Sequence, residues 1–239
     1  PEEQIEGRVF TNGQRLSGPA IAEHSIAMML SLARALPTFI RADNWQRARA
    51  ASMTFGEVEG KQMLVVGLGG IGTEVAWRAH GLGMSVSAIR NSSREGPDYV
   101  DHVGLPDELH ALAAGADVVV NALPLTEKTR GLFDAAFFKA IKPGAIFISV
   151  GRGQSTVTSA LIAALESGQL YGAGLDVTDP EPLPAESPLW AMDNVIVTPH
   201  ISSGRSGSLR RMAIIAAENL RRYLAGEALL SPVDMRAGY

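Results

Sequence analysis

The residues of this chain best suited to chemistry fall at turns that follow short apolar runs. Gly67-Leu68-Gly69-Gly70-Ile71-Gly72 comes after Met63-Leu64-Val65-Val66 and opens a plausible helix from Thr73 to Leu82. In that setting a GxGxxG run reads as a dinucleotide turn. Gly67 permits the tight turn, Gly69 lets the backbone approach a pyrophosphate, and Gly72 lets the helix pack closely on its strand, with the phosphates at the helix N-terminus. About twenty residues on, Rossmann proteins that prefer NAD place an Asp or Glu to accept hydrogen bonds from the adenosine ribose. Here the position holds Arg90-Asn91-Ser92-Ser93-Arg94. A carboxylate there would repel a 2′-phosphate. Arg90 and Arg94 can pair with one, while Asn91, Ser92 and Ser93 offer hydroxyl, amide or backbone donors. Two charge-assisted contacts worth ~1.5–3 kcal/mol each predict NADP(H) over NAD(H) by roughly a hundredfold or more.

Positioning these turns requires a regular scaffold, and the hydrophobic pattern supplies one. From Met63 onward the strand candidates are 63–66, 84–89, 118–123, 145–150, 172–177 and 195–198, separated by helical stretches near 73–82, 106–114, 132–141 and 156–167. This alternation means βαβ units and a parallel sheet. Continuous runs such as Val118-Val119-Val120 fit strands covered by helices on both faces. The expected fold class is therefore α/β, a Rossmann doubly wound parallel sheet. Ligands of such sheets bind beyond the carboxyl ends of the strands. Arg90, Arg94, Arg152, Asp176 and His200 all fall at such ends, so they are expected to face one crevice.

The flanks are less regular. Arg8-Val9-Phe10-Thr11 reads as a short strand before Asn12-Gly13. A helix is predicted from Ser17-Gly18-Pro19 to Leu36 or beyond, with Pro37 ending or kinking it. It is apolar almost all round, so it is expected to pack on the sheet on one side and on a subunit partner on the other, giving a homodimer through residues 20–36. A last amphipathic helix spans roughly 208–225, followed by a tail without pattern.

At 239 residues and 46% hydrophobic, the chain can bury one large core, or one core and a small satellite. A net charge of −4 with scattered Lys and Arg gives no basic stripe, so no nucleic-acid partner is expected. The absence of cysteine excludes disulfides, thiolate nucleophiles and Cys-based zinc sites. No histidine has ligand spacing with another, so no metal is expected. His24 reads as a packing or interface residue, and His80, His102 and His110 as surface or helix positions. No run approaches the ~18 apolar residues of a membrane span and no signal segment opens the chain; no membrane partner and a cytoplasmic location are expected. Pro1, where a methionine would open a complete chain, reads as a fragment or processed product.

Taken together, Ala22-Glu23-His24, the glycine turn, Pro124-Leu125-Thr126, Gly151-Arg152-Gly153, Gly174-Leu175-Asp176-Val177, Glu181-Pro182-Leu183 and Thr198-Pro199-His200 resemble, in order, the motifs of the D-isomer-specific 2-hydroxyacid dehydrogenases, most of all the glyoxylate/hydroxypyruvate reductases. The resemblance covers nearly the whole chain. It implies a hydride-transfer site in which Arg152 clamps the carboxylate and oxo oxygen of a small 2-oxo acid, His200 protonates the carbonyl oxygen, and Glu181 holds and charges the imidazole. It implies that Asp176 meets the nicotinamide carboxamide, and that cofactor contacts extend to Leu123, Pro124, Val150, Gly151, Arg152, His200, Ser202 and Ser203. Ser149 departs from the family where Asn is frequent, and Val157 where Asp is frequent. The larger departure is an absence, since members carry most of a substrate domain ahead of the segment that starts here. The implied organisation is a substrate-domain remnant at 1–17, a dinucleotide-binding domain at 18–203, and a helix and tail at 204–239 returning to the substrate domain. Three readings follow: an NADP(H)-dependent reductase of 2-oxo acids, a cofactor-binding fragment without turnover, and a dinucleotide-sensing, corepressor-like interaction protein.

Overall fold

The computed structural model describes residues 8–13, 16–46, 55–204 and 206–233. The expected remnant at 1–7 and 14–15 and the tail from 234 lie outside the described residues. Seven strands form one parallel sheet: β1 (Gln62–Val66), β2 (Ser85–Ile89), β3 (His102–Gly104), β4 (Val118–Asn121), β5 (Ala145–Ser149), β6 (Leu170–Leu175) and β7 (Val195–Val197). Their order is β3-β2-β1-β4-β5-β6-β7, every pair parallel. The chain reverses its direction of winding between β1 and β4, so the crevice of a doubly wound sheet opens there.

Alternate side chains point to opposite faces of a strand, and here both faces are covered. Met63, Val65, Val86, Val118, Val120, Ile146 and Ile148 pack on one face against α1 (Gly18–Ala33) and α3 (Gly70–Gly81). Leu64, Val66, Val119, Phe147 and Leu175 pack on the other against α4 (Leu109–Ala113), α5 (Ala135–Ala140) and α6 (Thr158–Glu166). That double burial is why the strands read as unbroken apolar runs. Asp134 caps α5, accepting from the Phe137 N–H at 2.9 Å, whereas Val157 stands uncapped at the start of α6.

Several boundaries differ from the sequence expectations. β3 was not anticipated; at three residues it is too short to show a period. β6 begins and ends two residues earlier than 172–177. The expected helix at 106–114 divides into a 3-10 turn, Pro106–Glu108, and α4. The first helix stops at Ala33, Ala35 takes a left-handed conformation with φ +50, and Pro37 falls in the first turn of a separate α2 (Leu36–Arg41). Proline is accommodated in a first turn, where its missing N–H costs nothing. Arg8–Thr11 is not a strand: Thr11 forms a single antiparallel bridge with Pro232. The final helix, α7 (Ser206–Ala225), is tied back by Arg211, which donates to the Leu16 carbonyl. No helix among the described residues is long and apolar enough to cross a membrane.

Candidate active site

The glycine turn leaves β1 at its carboxyl end. Gly67 has φ +102, and its N–H donates to the Ile89 carbonyl on the neighbouring strand at 3.0 Å. A Cβ on Gly72 would lie 2.0 Å from the Gly67 carbonyl, so α3 approaches its own turn as closely as only glycine permits. Gly69 is different. It sits at the N-cap of α3, and a Cβ there would meet nothing within 4 Å. The space before the helix N-terminus is open, and Gly70 and Ile71 are partly exposed beside it. A helix start offers N–H groups that its own turns leave unbonded, and these suit an anion.

At the end of β2 the basic loop is built rather than loose. The Arg90 N–H donates to Gly104 of β3 at 3.0 Å, and its guanidinium donates to the Glu95 carbonyl at 2.9 Å. The Glu95 N–H points at the Ser93 hydroxyl at 3.4 Å; Asn91 and Ser92 are exposed. Arg94 reaches across to Glu108, Nη1 to Oε1 2.6 Å. The same carboxylate accepts the Leu105 N–H at 2.9 Å and lies 3.2 Å from His102 Nε2. The Leu105 N–H, with His102 and Arg94, holds the Glu108 carboxyl below the usual carboxylate range. Glu108 escaped the sequence reading because it lies beyond an unanticipated strand.

Across the winding reversal, β4 ends in Asn121. Its buried amide donates to the Ser149 and Ser155 hydroxyls at 3.1 and 2.7 Å and accepts from the Leu123 N–H at 3.1 Å. Ser149, the departure from family habit, is thus the hydroxyl that receives this amide. Leu123 is partly exposed, Pro124 exposed and Val150 buried, so Val150 can meet a ligand only through its backbone. The Gly151-Arg152-Gly153 turn is wedged between neighbouring strand ends. A Cβ on Gly151 would lie 2.5 Å from the Leu123 carbonyl, and one on Gly153 1.8 Å from the Thr178 carbonyl. Only glycine fits on either side, and Arg152 is left exposed between them, its Nη1 resting on the Gly151 carbonyl at 2.7 Å.

Beyond β6 and β7 the polar groups interlock. The Asp176 side chain has no exposed surface. Its Oδ1 accepts the Thr198 hydroxyl at 2.6 Å and the Ile201 N–H at 3.0 Å, and its Oδ2 the Ser202 N–H at 3.0 Å. Burial alone would push this carboxyl up, but the hydrogen bonds from Ser202, Thr198 and Ile201 outweigh it and hold it below the ordinary value. Ser202 is buried with it, while Ser203 is exposed. His24 joins from α1: its Nε2 lies 2.9 Å from the Thr198 hydroxyl and 3.6 Å from Asp176. Because that hydroxyl gives its proton to Asp176, His24 donates to it through Nε2–H. His24 is therefore more than the packing or interface residue expected.

This network anchors the loop that carries His200. The His200 N–H donates to the Asp176 carbonyl at 3.0 Å, and the residue takes the left-handed conformation with φ +53. Its Nδ1 lies 2.7 Å from Glu181 Oε1. With Nδ1–H committed to the carboxylate, Nε2 is the ring nitrogen left to exchange a proton with a substrate. The candidate residues thus line one edge of the sheet in strand order. Arg90 and Arg94 follow β2, the glycine turn follows the adjacent β1, and Arg152, Glu181 and His200 follow β5, β6 and β7 in turn. β2 and β7 lie five inter-strand spacings apart, about 24 Å.

The model for the D-isomer specific 2-hydroxyacid dehydrogenase NAD binding domain matches residues 26–202. The chain belongs to this family. It therefore carries the family's NAD-binding domain. Among curated relatives, glyoxylate/hydroxypyruvate reductase B of Citrobacter koseri is 37% identical over 211 residues, 87% of this chain and 65% of that protein. The chain thus spans just under two thirds of the length of that relative. Among solved structures, a D-isomer specific 2-hydroxyacid dehydrogenase from Xanthobacter autotrophicus Py2, in complex with NADPH and MES, superposes with a TM-score of 0.87 at 36% identity, covering 99% of this chain and 96% of the other. An NADPH-dependent glyoxylate/hydroxypyruvate reductase from Sinorhizobium meliloti, in complex with NADP and sulfate, gives 0.84 at 28% identity, covering 98% and 74%.

Proposed function

We propose that this chain binds NADP(H) in preference to NAD(H) and serves the reduction of a small 2-oxo acid, such as glyoxylate or hydroxypyruvate, to the 2-hydroxy acid, of (R) configuration where the product is chiral. The observation that carries the reading is the 2.7 Å pair between His200 and Glu181 on the same sheet edge as Arg152 and the glycine turn. The nicotinamide cofactor, when bound, supplies the hydride. Arg152 holds the substrate carboxylate and oxo oxygen through its planar donor fork. His200 Nε2 delivers a proton to the carbonyl oxygen, and Glu181 stabilises the imidazolium that makes it an acid. Asp176, through Ile201 and Ser202, fixes the loop on which His200 stands.

The cofactor side rests on the fit of the residues. The open face at Gly69, with Gly67, Gly70, Ile71 and Gly72 around it, suits a pyrophosphate, and Arg90 to Arg94 offer cations and hydroxyls to a 2′-phosphate. Leu123, Pro124, Val150, Gly151 and Ser203 would border the nicotinamide half. Asp176 and Ser202 would support it from beneath, given how their polar atoms are engaged. The reductase names of relatives and the NADPH and NADP in structural neighbours support the same reading. A homodimer through residues 20–36 belongs to the proposal. α1 is largely covered by α3 and the sheet, so the exposed Ile40, Trp45 and Trp77 are included in the proposed contact.

Titrating NADPH and NADH against tryptophan fluorescence is expected to give a dissociation constant roughly a hundredfold lower for NADPH. Arg90→Asp is expected to move the preference toward NADH; equal affinities in the parent protein would sink the assignment. Turnover assays with hydroxypyruvate and glyoxylate test the chemistry. Arg152→Ala and His200→Ala are each expected to lower the rate by at least about a hundredfold, and an undiminished rate in either removes that residue from the mechanism. Tight NADPH binding with no turnover would mark a cofactor-binding unit alone.

A further inference from the structure

Arg94 is not poised in solvent awaiting an anion. It is already bonded to Glu108 at 2.6 Å, and that carboxylate is fixed by its own backbone. Glu108 is the last residue of the 3-10 turn Pro106–Glu108, and its Oε1 reaches back to accept the Leu105 N–H at 2.9 Å. Its other oxygen faces His102 at 3.2 Å. β3, which leads into this turn, is hydrogen-bonded to β2, and the Arg90 N–H donates to Gly104 at its end. The carboxylate is therefore held beside the loop 90–95 by the sheet itself, and does not depend on Arg94 for its position.

We infer that Glu108 is a specificity-determining residue that competes with the 2′-phosphate of NADP(H) for Arg94 and so limits the preference the two arginines can give. This rests on the reading of Arg90 and Arg94 as the 2′-phosphate clamp. A phosphate monoester near pH 7 carries between one and two negative charges. Arriving at the Arg94 guanidinium, it meets a fixed carboxylate already bonded to the same cation. Binding then requires Arg94 to leave Glu108 or to be shared between two anions. NADH, with no 2′-phosphate, makes no such demand. The Arg94 and Glu108 side chains are 53% and 28% exposed, so solvent screens the pair and the effect is modest, on the order of fivefold in affinity.

Glu108→Gln removes the charge and keeps an oxygen for the Leu105 N–H, so the turn is retained; an unchanged melting temperature verifies this. NADPH and NADH dissociation constants are measured for the parent, Glu108→Gln, Arg94→Gln and the double variant. Glu108→Gln is expected to tighten NADPH about fivefold and to alter NADH by less than twofold, and most of that gain is expected to disappear when Arg94 is also replaced. Unchanged or weaker NADPH binding in Glu108→Gln, or equal tightening of both cofactors, overturns the inference. If Arg94→Gln in the same series still weakens NADPH, the clamp stands without Glu108 as competitor. If Arg94→Gln leaves NADPH affinity intact, the clamp reading has failed and the competition with it.

Discussion

Asp176 carries most of the local order near His200, because it accepts three hydrogen bonds from a segment that has no secondary structure of its own. Asp176→Asn keeps the shape but replaces a charged acceptor with an amide that must turn one N–H toward existing donors. A cost of about 2–3 kcal/mol at pH 7 is expected, read from urea unfolding. The pH dependence has a definite sign. Hydrogen bonding depresses this carboxyl from an ordinary value of 3.8, so its contribution is complete above that value and is lost as pH falls through the lower native one. The gap between parent and variant should be constant from pH 7 to 5 and shrink below about pH 4. The places of Asp176 and His200 after apolar runs were legible in the sequence as local facts, whereas Glu181 came only from the family resemblance. The role of His24 was not, because it partners Thr198 across 174 residues of chain, and only the packing of α1 on the sheet brings them together.

Elements show the same division between local and distant causes. The tight turn at Gly67 and the close helix packing at Gly72 were readable in advance, and the ligand role expected of Gly69 can be separated from them by experiment. Gly72→Ala places a Cβ 2.0 Å from the Gly67 carbonyl, and overpacking of that kind is expected to lower stability by about 1–3 kcal/mol. Gly69→Ala meets nothing within 4 Å; its melting temperature should stay near the parent's while NADPH affinity falls at least about tenfold, since the methyl group occupies the space a pyrophosphate would use. Equal loss of stability in both variants would argue against a ligand role for Gly69. β3 was missed for the opposite reason. His102-Val103-Gly104 has no period of its own and becomes a strand only because β2 offers an edge to pair with. The break in the first helix was signalled by Pro37, but the left-handed residue that makes it, Ala35, lies two positions earlier and carries no signal of its own.

For the molecule as a whole, the doubly wound sheet was legible because most of its strands are short apolar runs that alternate with helical stretches, a rhythm that suits a parallel arrangement. Which side chains remain uncovered was not, because coverage is decided by the assembled layers. Ile40 and Trp45 stay exposed on α2 and just beyond it, and Trp77 on α3. Light scattering at micromolar concentration is expected to return twice the mass of one chain, and Trp45→Glu combined with Trp77→Glu to return the mass of one. A parent mass equal to a single chain would refute the dimer. The outline of the sheet has its own bearing on behaviour at high concentration. Both outermost strands, β3 and β7, are three residues long, against four to six for the strands between them. A bordering strand is where a foreign chain can add itself by backbone pairing, and a margin this brief offers few amide groups to such an intruder. Among the described residues the longer β-forming stretches lie inside, already paired on both sides, so fibril-like accretion finds only these two short margins to build on.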